Sequence, residues 1–186
     1  TTNSLVEISD YLYKRNPDGA IDAINALEAK YYPVVEELLS TAESKELGKT
    51  IVKERFDVLR SIASSTKPFT SFEEKVILAQ GELTSTALVN AYLVEQGVKS
   101  CLLPALDFMK TDKNAEPDMN YIRTNVKKQL EEKNGYEIYI TQGFICRNHY
   151  DEVDNLQRLS LVPLWSLTKF KSGQILTECT TMILVL

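Results

Sequence analysis

Apolar residues recur at helical spacing through the first half of the chain. Leu5, Ile8, Tyr11 and Leu12 lie on one stripe, and Ser4 with Glu7 has the spacing of a capping box, so a helix is predicted to start near Ser4. Ile21, Ile24, Leu27 and Tyr31 continue the period, Pro33 is predicted to break or restart that helix, and Leu47, Ile51, Phe56, Leu59 and Ile62 mark another. Ser71 and Glu74 have capping-box spacing ahead of Val76, Ile77 and Leu78. The helix is then expected to resume after Gly81 through Leu83, Ala87, Leu88, Ala91 and Tyr92, and to end at Gly97. A glycine inside a helical pattern calls for a reason.

From Val98 the pattern shortens. VKSCLLPAL reads as a buried strand, TNVKKQLEEKNG as a helix closed by Gly135, and YEIYITQGFI as a second strand. Strand, crossover helix, strand is the unit of a parallel sheet, so the expected class is α/β: a helical first half, then parallel β-α-β. Ligands in such sheets bind beyond the carboxyl ends of the strands, which points to the polar segment that begins at Gly143 and runs to Arg158. After Arg158 the chemistry changes again, because from there to the end only Lys169, Lys171 and Glu178 carry charge. No internal repeat, low-complexity tract or linker interrupts the chain.

Composition narrows the function classes. With 186 residues and 44% hydrophobic content the chain can fill one core, and one domain is the default expectation. A net charge of -5, with Lys and Arg dispersed among Asp and Glu, offers no basic stripe for a phosphate backbone, so nucleic acid is a poor partner. Cys101, Cys146 and Cys179 lie far apart without a CxxC, which suggests buried or free thiols in a reducing, cytoplasmic setting. The first residues show neither a basic start nor an apolar targeting core, and no window approaches the ~20 apolar residues of a membrane helix. No membrane partner is expected.

Chemical motifs are mostly absent. There is no GxxxxGK[ST], GxGxxG, GxSxG or HExxH, and His149 is the sole histidine, which argues against a histidine-based triad or a zinc site. Chemistry here would rest on positioning and electrostatics. Phosphoryl transfer to a carboxylate is such a reaction, since the acceptor is already ionised and needs no base.

The segments TTNSLVEI, EEKVILAQGELTSTALVNAYL, TDKNAEPDMNYI and ITQGFICRNHYDEVDNLQR resemble aspartate kinase, of the type often fused to homoserine dehydrogenase. The likeness covers residues 1–158. Thr2 and Asn3 match the family's Thr-Asn loop, Gly81 and Glu82 its Gly-Glu element, and Arg158 the arginine that precedes Gly-Gly-Ser-Asp. The family's opening strand and its phosphate-contacting lysine have no counterpart. The resemblance therefore implies a partial amino-acid-kinase (carbamate-kinase-like) fold that lacks the first strand and the nucleotide-binding lobe.

The resemblance also implies a reaction, in which the γ-phosphate of Mg2+-bound ATP passes to the side-chain carboxylate of L-aspartate, an entry step to lysine, threonine and methionine synthesis. By the same resemblance Glu82 would hold the substrate ammonium, Arg158 a substrate carboxylate and Thr2 a carboxylate oxygen. Asn3, Gly81 and Gly143 would support them, with Gly81 giving close approach just before a helix N-terminus. From residue type alone, Glu82 and Arg158 read as solvated surface charges and Thr2 as a terminal residue. Asp151 stands where close relatives are expected to carry a small turn residue such as glycine. With the donors to ATP missing, the chain is expected to be inactive on its own. Two alternatives stand beside this one: a non-catalytic partner of intact kinase subunits, or an enzyme of the same fold acting on another carboxylate. A homo-oligomer is compatible with each.

The last stretch has its own explanation. Joining the third base of each codon to the first two of the next, residues 172–178 can encode Trp-Thr-Asp-Ile-Asp-Gly, the family's nucleotide-facing strand. Residues 161–164 likewise permit Gly-Ala-Ala. Residues 159–186 are therefore expected to be a non-homologous tail, an out-of-frame translation after a deletion that removed Gly-Gly-Ser-Asp. The competing reading is a genuine terminal strand, ILTECTTMILVL.

Overall fold

A computed structural model describes residues 2–156 and the backbone of two further strands, 174–178 and 181–185. The chain divides into two compact units, 1–96 and 97–186.

The first unit is four helices: α1 (Thr2–Tyr13), α2 (Pro17–Leu38), α3 (Ala42–Ala63) and α4 (Ser71–Glu95). Each apolar stripe turns inward, so Leu5 and Ile8 of α1, Ile24 and Val35 of α2, Val52, Phe56 and Leu59 of α3, and Ile77 and Leu88 of α4 share one core. The starts are fixed by side chains. Asn16 accepts a hydrogen bond from the Gly19 N–H at 3.0 Å with Pro17 in the first turn, and Thr41 accepts from the Ser44 N–H at 3.1 Å.

Four expectations shift here. α1 already runs from Thr2, so Ser4 and Glu7 lie inside the helix rather than at its cap. Pro33 does not end α2: core residues on both sides of it, Leu27 and Val35, hold the helix straight through a residue that lacks its N–H. The capping box of α4 is Thr70 with Glu73, one residue ahead of the predicted pair, and the helix continues without interruption through Gly81.

The second unit holds β1 (Ser100–Leu102), α5 (Met119–Glu132) and β2 (Ile138–Gln142), with β1 and β2 parallel as the pattern predicts. A single 3-10 turn, Ala105–Asp107, follows β1. YEIYITQGFI is not one strand. It breaks at Gly143, and β3 (Ile145–Arg147) pairs instead with β4 (Val153–Asn155) in a separate antiparallel hairpin. The backbones of β5 (Gln174–Glu178) and β6 (Thr181–Val185) extend the first sheet to the order β1-β2-β6-β5, with β6 antiparallel to β2. Among the described residues no helix is long and apolar enough to cross a membrane.

Candidate functional site

The helix α4 carries two of the residues singled out by sequence, and it buries two faces. At roughly 100° per residue, Ile77, Gln80, Thr84, Leu88 and Ala91 fall on one side. Ile77, Leu88 and Ala91 belong to the core of the helical unit. Gly81 belongs to this side too, lining a void of about 10 Å³ with Leu5, Leu27, Phe56 and Leu59. Ala79, Glu82 and Thr86 share the other side and are 1%, 6% and 0% exposed, yet none of them is part of that core. The Thr86 hydroxyl donates to the Glu82 carbonyl at 2.8 Å.

This corrects the expected geometry of the Gly-Glu element. Gly81 sits in the middle of α4, about three turns from its N-terminus, so no helix-end dipole acts at Glu82. Its missing side chain faces the neighbouring helices, which is the packing reason a helical glycine needs, while Glu82 points away from them. Burial of a carboxylate on that face separates Glu82 from the solvated helix charge that residue type alone would suggest.

Thr2 and Asn3 are exposed in the first turn of α1 rather than in a loop, because the stripe of Leu5, Ile8 and Leu12 carries the helix up to them. Arg158 lies outside the described residues, as do Cys179 and the segment between Leu156 and β5. Of the six residues singled out, Thr2, Asn3, Gly81 and Glu82 fall in the helical unit and Gly143 in the second.

Gly143 is buried between β2 and β3. Just before it, the Gln142 side chain accepts a buried hydrogen bond from the Ala105 N–H at 2.8 Å, tying the carboxyl end of β2 to the turn that follows β1. The hairpin beyond is held by charges, of which sequence inspection singled out Asp151 but not Lys110 or Arg147. Lys110 pairs with Asp151 at 2.6 Å and lies over the Tyr121 ring, 5.3 Å from its centre. Arg147 donates to the Leu106 carbonyl at 2.9 Å and to the Asp151 carbonyl at 2.6 Å. The Asn148 side chain accepts from the Tyr150 and Glu152 N–H groups, closing the turn. Asp151 itself has φ 65°, the backbone that glycine adopts freely, and Lys110 holds its carboxyl below the usual carboxylate range.

Other chemistry is sparse. Cys101 is a free thiol, and burial pushes it up, which suits a reduced, unreactive group. Among the described residues no cluster of His, Cys, Asp or Glu is arranged to hold a metal ion.

No known family pattern matches the chain, and no curated protein matches it by sequence. Solved structures do. E. coli aspartokinase III, determined in complex with aspartate and ADP in its R-state, superposes with a TM-score of 0.65 over 86% of this chain and 35% of its own, at 24% identity. The same enzyme with lysine and aspartate in its T-state gives equal values. Clostridium acetobutylicum aspartate kinase gives a TM-score of 0.63 over 89% of this chain and 33% of its own, at 14% identity. The fold is aspartokinase-like. The chain spans about a third of the length of these aspartokinases, so its helical unit and small mixed sheet correspond to part of that fold.

Proposed function

We propose that this chain is the aspartate-holding part of an aspartate kinase, a phosphotransferase that moves the γ-phosphate of Mg2+-bound ATP to the side-chain carboxylate of L-aspartate. The observation that carries the reading is the aspartokinase-like fold over 86% of the chain. The buried Glu82, turned away from the helical core, supports it as an anion able to face a substrate ammonium. In this reading Glu82 binds the ammonium, Arg158 a carboxylate through a two-pronged guanidinium contact, and Thr2 a carboxylate oxygen through its hydroxyl. Asn3, Gly81 and Gly143 shape the surroundings, with Gly81 acting through helix packing. These groups bind and orient the acceptor, while charge neutralisation on the donor side is the work of other groups.

Thermal denaturation with added amino acids tests this directly. L-aspartate at a hundred times its Kd should stabilise the fold by about 2.7 kcal/mol, whereas L-glutamate and carbamate should not. Glu82→Gln and Arg158→Gln should each remove the aspartate shift. An equal response to aspartate and glutamate would sink the assignment. A coupled ATP-turnover assay is expected to stay at background. For residues 159–186 we retain the out-of-frame reading; DNA whose shifted frame does not encode Trp-Thr-Asp-Ile-Asp-Gly removes it.

A further inference from the structure

One end of the helical unit opens into a cleft of about 950 Å³, unrelated to Glu82 and its neighbours. It forms where the end of α1, the start of α2, the end of α3 and the first turn of α4 meet around the loop at residues 64–70. Its floor is apolar: Leu12, Val58, Ile62, Phe69, Phe72 and Val76 line it. Phe72 remains 39% exposed there, an aromatic surface that the fold leaves uncovered. The wall is well braced, since Tyr13 stacks edge-on against Phe69 with ring centres 4.7 Å apart and its hydroxyl donates to Glu74 at 2.8 Å.

The rim carries two cations and one carboxylate, Glu73. Arg15 and Lys67 line the cleft and form no ion pair among the described residues. The Glu73 carboxylate lines the cleft too and is drawn toward Lys67, but it accepts from the Thr70 N–H at 2.9 Å and from the Thr70 hydroxyl, while Glu74 takes the Tyr13 hydroxyl. Glu73 also fills the N-terminus of α4, so that helix end offers nothing to a ligand. Hydroxyls of Ser61, Ser65 and Thr66 complete the polar edge. The lining thus holds two cations against one carboxylate, on a chain whose net charge is -5.

Arg15 also occupies a costly position. It closes α1 with φ 56°, where glycine or asparagine is favoured. A non-glycine residue held in that region points to a requirement for its side chain. The size and lining match a small-molecule site, with mostly apolar walls and a few convergent polar groups.

We propose that this cleft binds a small amphipathic anion, an apolar body that lies on Phe69 and Phe72 with one carboxylate reaching Arg15 and Lys67. It is a second ligand site, independent of the aspartate reading, since aspartate has no apolar body to occupy it.

The test uses 4-phenylbutyrate as probe on the intact chain, followed by amide chemical shifts and calorimetry. Saturable binding is expected, with shifts concentrated at Arg15, Thr66, Lys67, Phe69 and Phe72. The uncharged amide of the same probe should bind about tenfold more weakly, a difference of ~1.4 kcal/mol. Arg15→Asn, which suits the backbone at least as well, and Lys67→Gln should each weaken the anion without lowering the melting temperature. Phe72→Ala should weaken acid and amide alike. No saturable shift at these residues, equal affinity for acid and amide, or indifference to both charge substitutions would each overturn the proposal. Saturating aspartate should leave the probe's affinity unchanged, so the two sites fail or stand separately.

Discussion

The helical unit and the sheet-bearing unit are built from the same chain but specified in different ways. In the first, each helix presents a stripe that repeats over several turns, so one misplaced end leaves the buried face unchanged. In the second, β1, β3 and β4 have three residues each, and α5 buries Ile122 alone among its residues. Burial there depends on turns and on polar side chains such as Gln142, 2% exposed and bonded to the turn after β1. A long periodic element tolerates local error; a short one leans on individual contacts. Substitutions should therefore act through volume in the helical unit and through single bonds or backbone geometry in the other.

The largest effect is expected from Phe56→Ala. Phe56 is 3% exposed and meets Tyr31 edge-on at 5.5 Å between ring centres, so truncation leaves a cavity in the core and should cost about 3–5 kcal/mol. Denaturant melts and amide exchange of α1–α4 would measure it. A loss below ~1 kcal/mol would mean that the four helices do not share the tight core described.

Gly48→Ala comes next. A Cβ at Gly48 would lie 2.7 Å from Val35 Cγ1 and 2.8 Å from Leu39 Cδ1, both on residues that are essentially fully buried and have nowhere to swing. Overpacking costs about 1–3 kcal/mol, and helix propensity returns about 1, so the expected outcome is a net loss near 1 kcal/mol. Gly97→Ala makes the contrast sharper. Its Cβ would meet open space, but φ is 78°, so any loss comes from the backbone alone. If Gly48→Ala raised the melting temperature, the close approach of α3 to α2 would be the wrong account of that glycine.

In the hairpin of the second unit the order of variants matters more than the size. Asp151→Ala removes the Lys110 ion pair and keeps a side chain at φ 65°; Asp151→Gly removes the pair but frees the backbone. The melting temperature should follow Asp151→Gly above Asp151→Ala. The reverse order would show that backbone geometry does not govern this turn.

These cases also show what the sequence makes legible. The helical character of the first half, the parallel β1-α5-β2 unit and the glycine ends at Gly97 and Gly135 follow from periodicity and punctuation, because each rests on many residues or on a backbone only glycine favours, whereas the break between α1 and α2 was not foreseen. Asp151 was readable as a departure from an expected turn residue, and its positive φ explains why a small residue was expected. Gly81 and Glu82 were not readable as a pair. Adjacent positions on a helix point about 100° apart, and whether Gly81 ends a helix or packs inside one depends on tertiary contacts with Leu5, Leu27 and Phe56. Pro33 fails as a breaker for the same reason, tertiary packing overriding local preference. The break of YEIYITQGFI at Gly143 depends on which strand each half pairs with, and no local pattern carries that.

The smallest expected effect concerns acid, and it contrasts a distant contact with a local one. Glu95, at the end of α4, accepts from the Ser40 N–H at 2.9 Å and the Thr41 N–H at 2.7 Å, placing its carboxylate at the start of α3. Asp112 accepts from the Asn114 N–H at 2.8 Å and the Glu116 N–H at 3.0 Å within its own loop. Backbone N–H groups hold both carboxyls below the usual range. A carboxyl whose folded pKa is depressed contributes stability above its unfolded pKa and loses it as pH falls through the folded one. Glu95→Gln and Asp112→Asn should therefore melt below the parent protein at neutral pH, with the deficit shrinking as the pH drops below ~4. The Glu95 contact joins residues 54 apart in sequence, so its loss should appear in the melt of the whole helical unit. The Asp112 loss should appear in faster amide exchange at Asn114 and Glu116. A deficit for either variant that stays constant from neutral pH into acid would assign the effect to lost packing instead of charge.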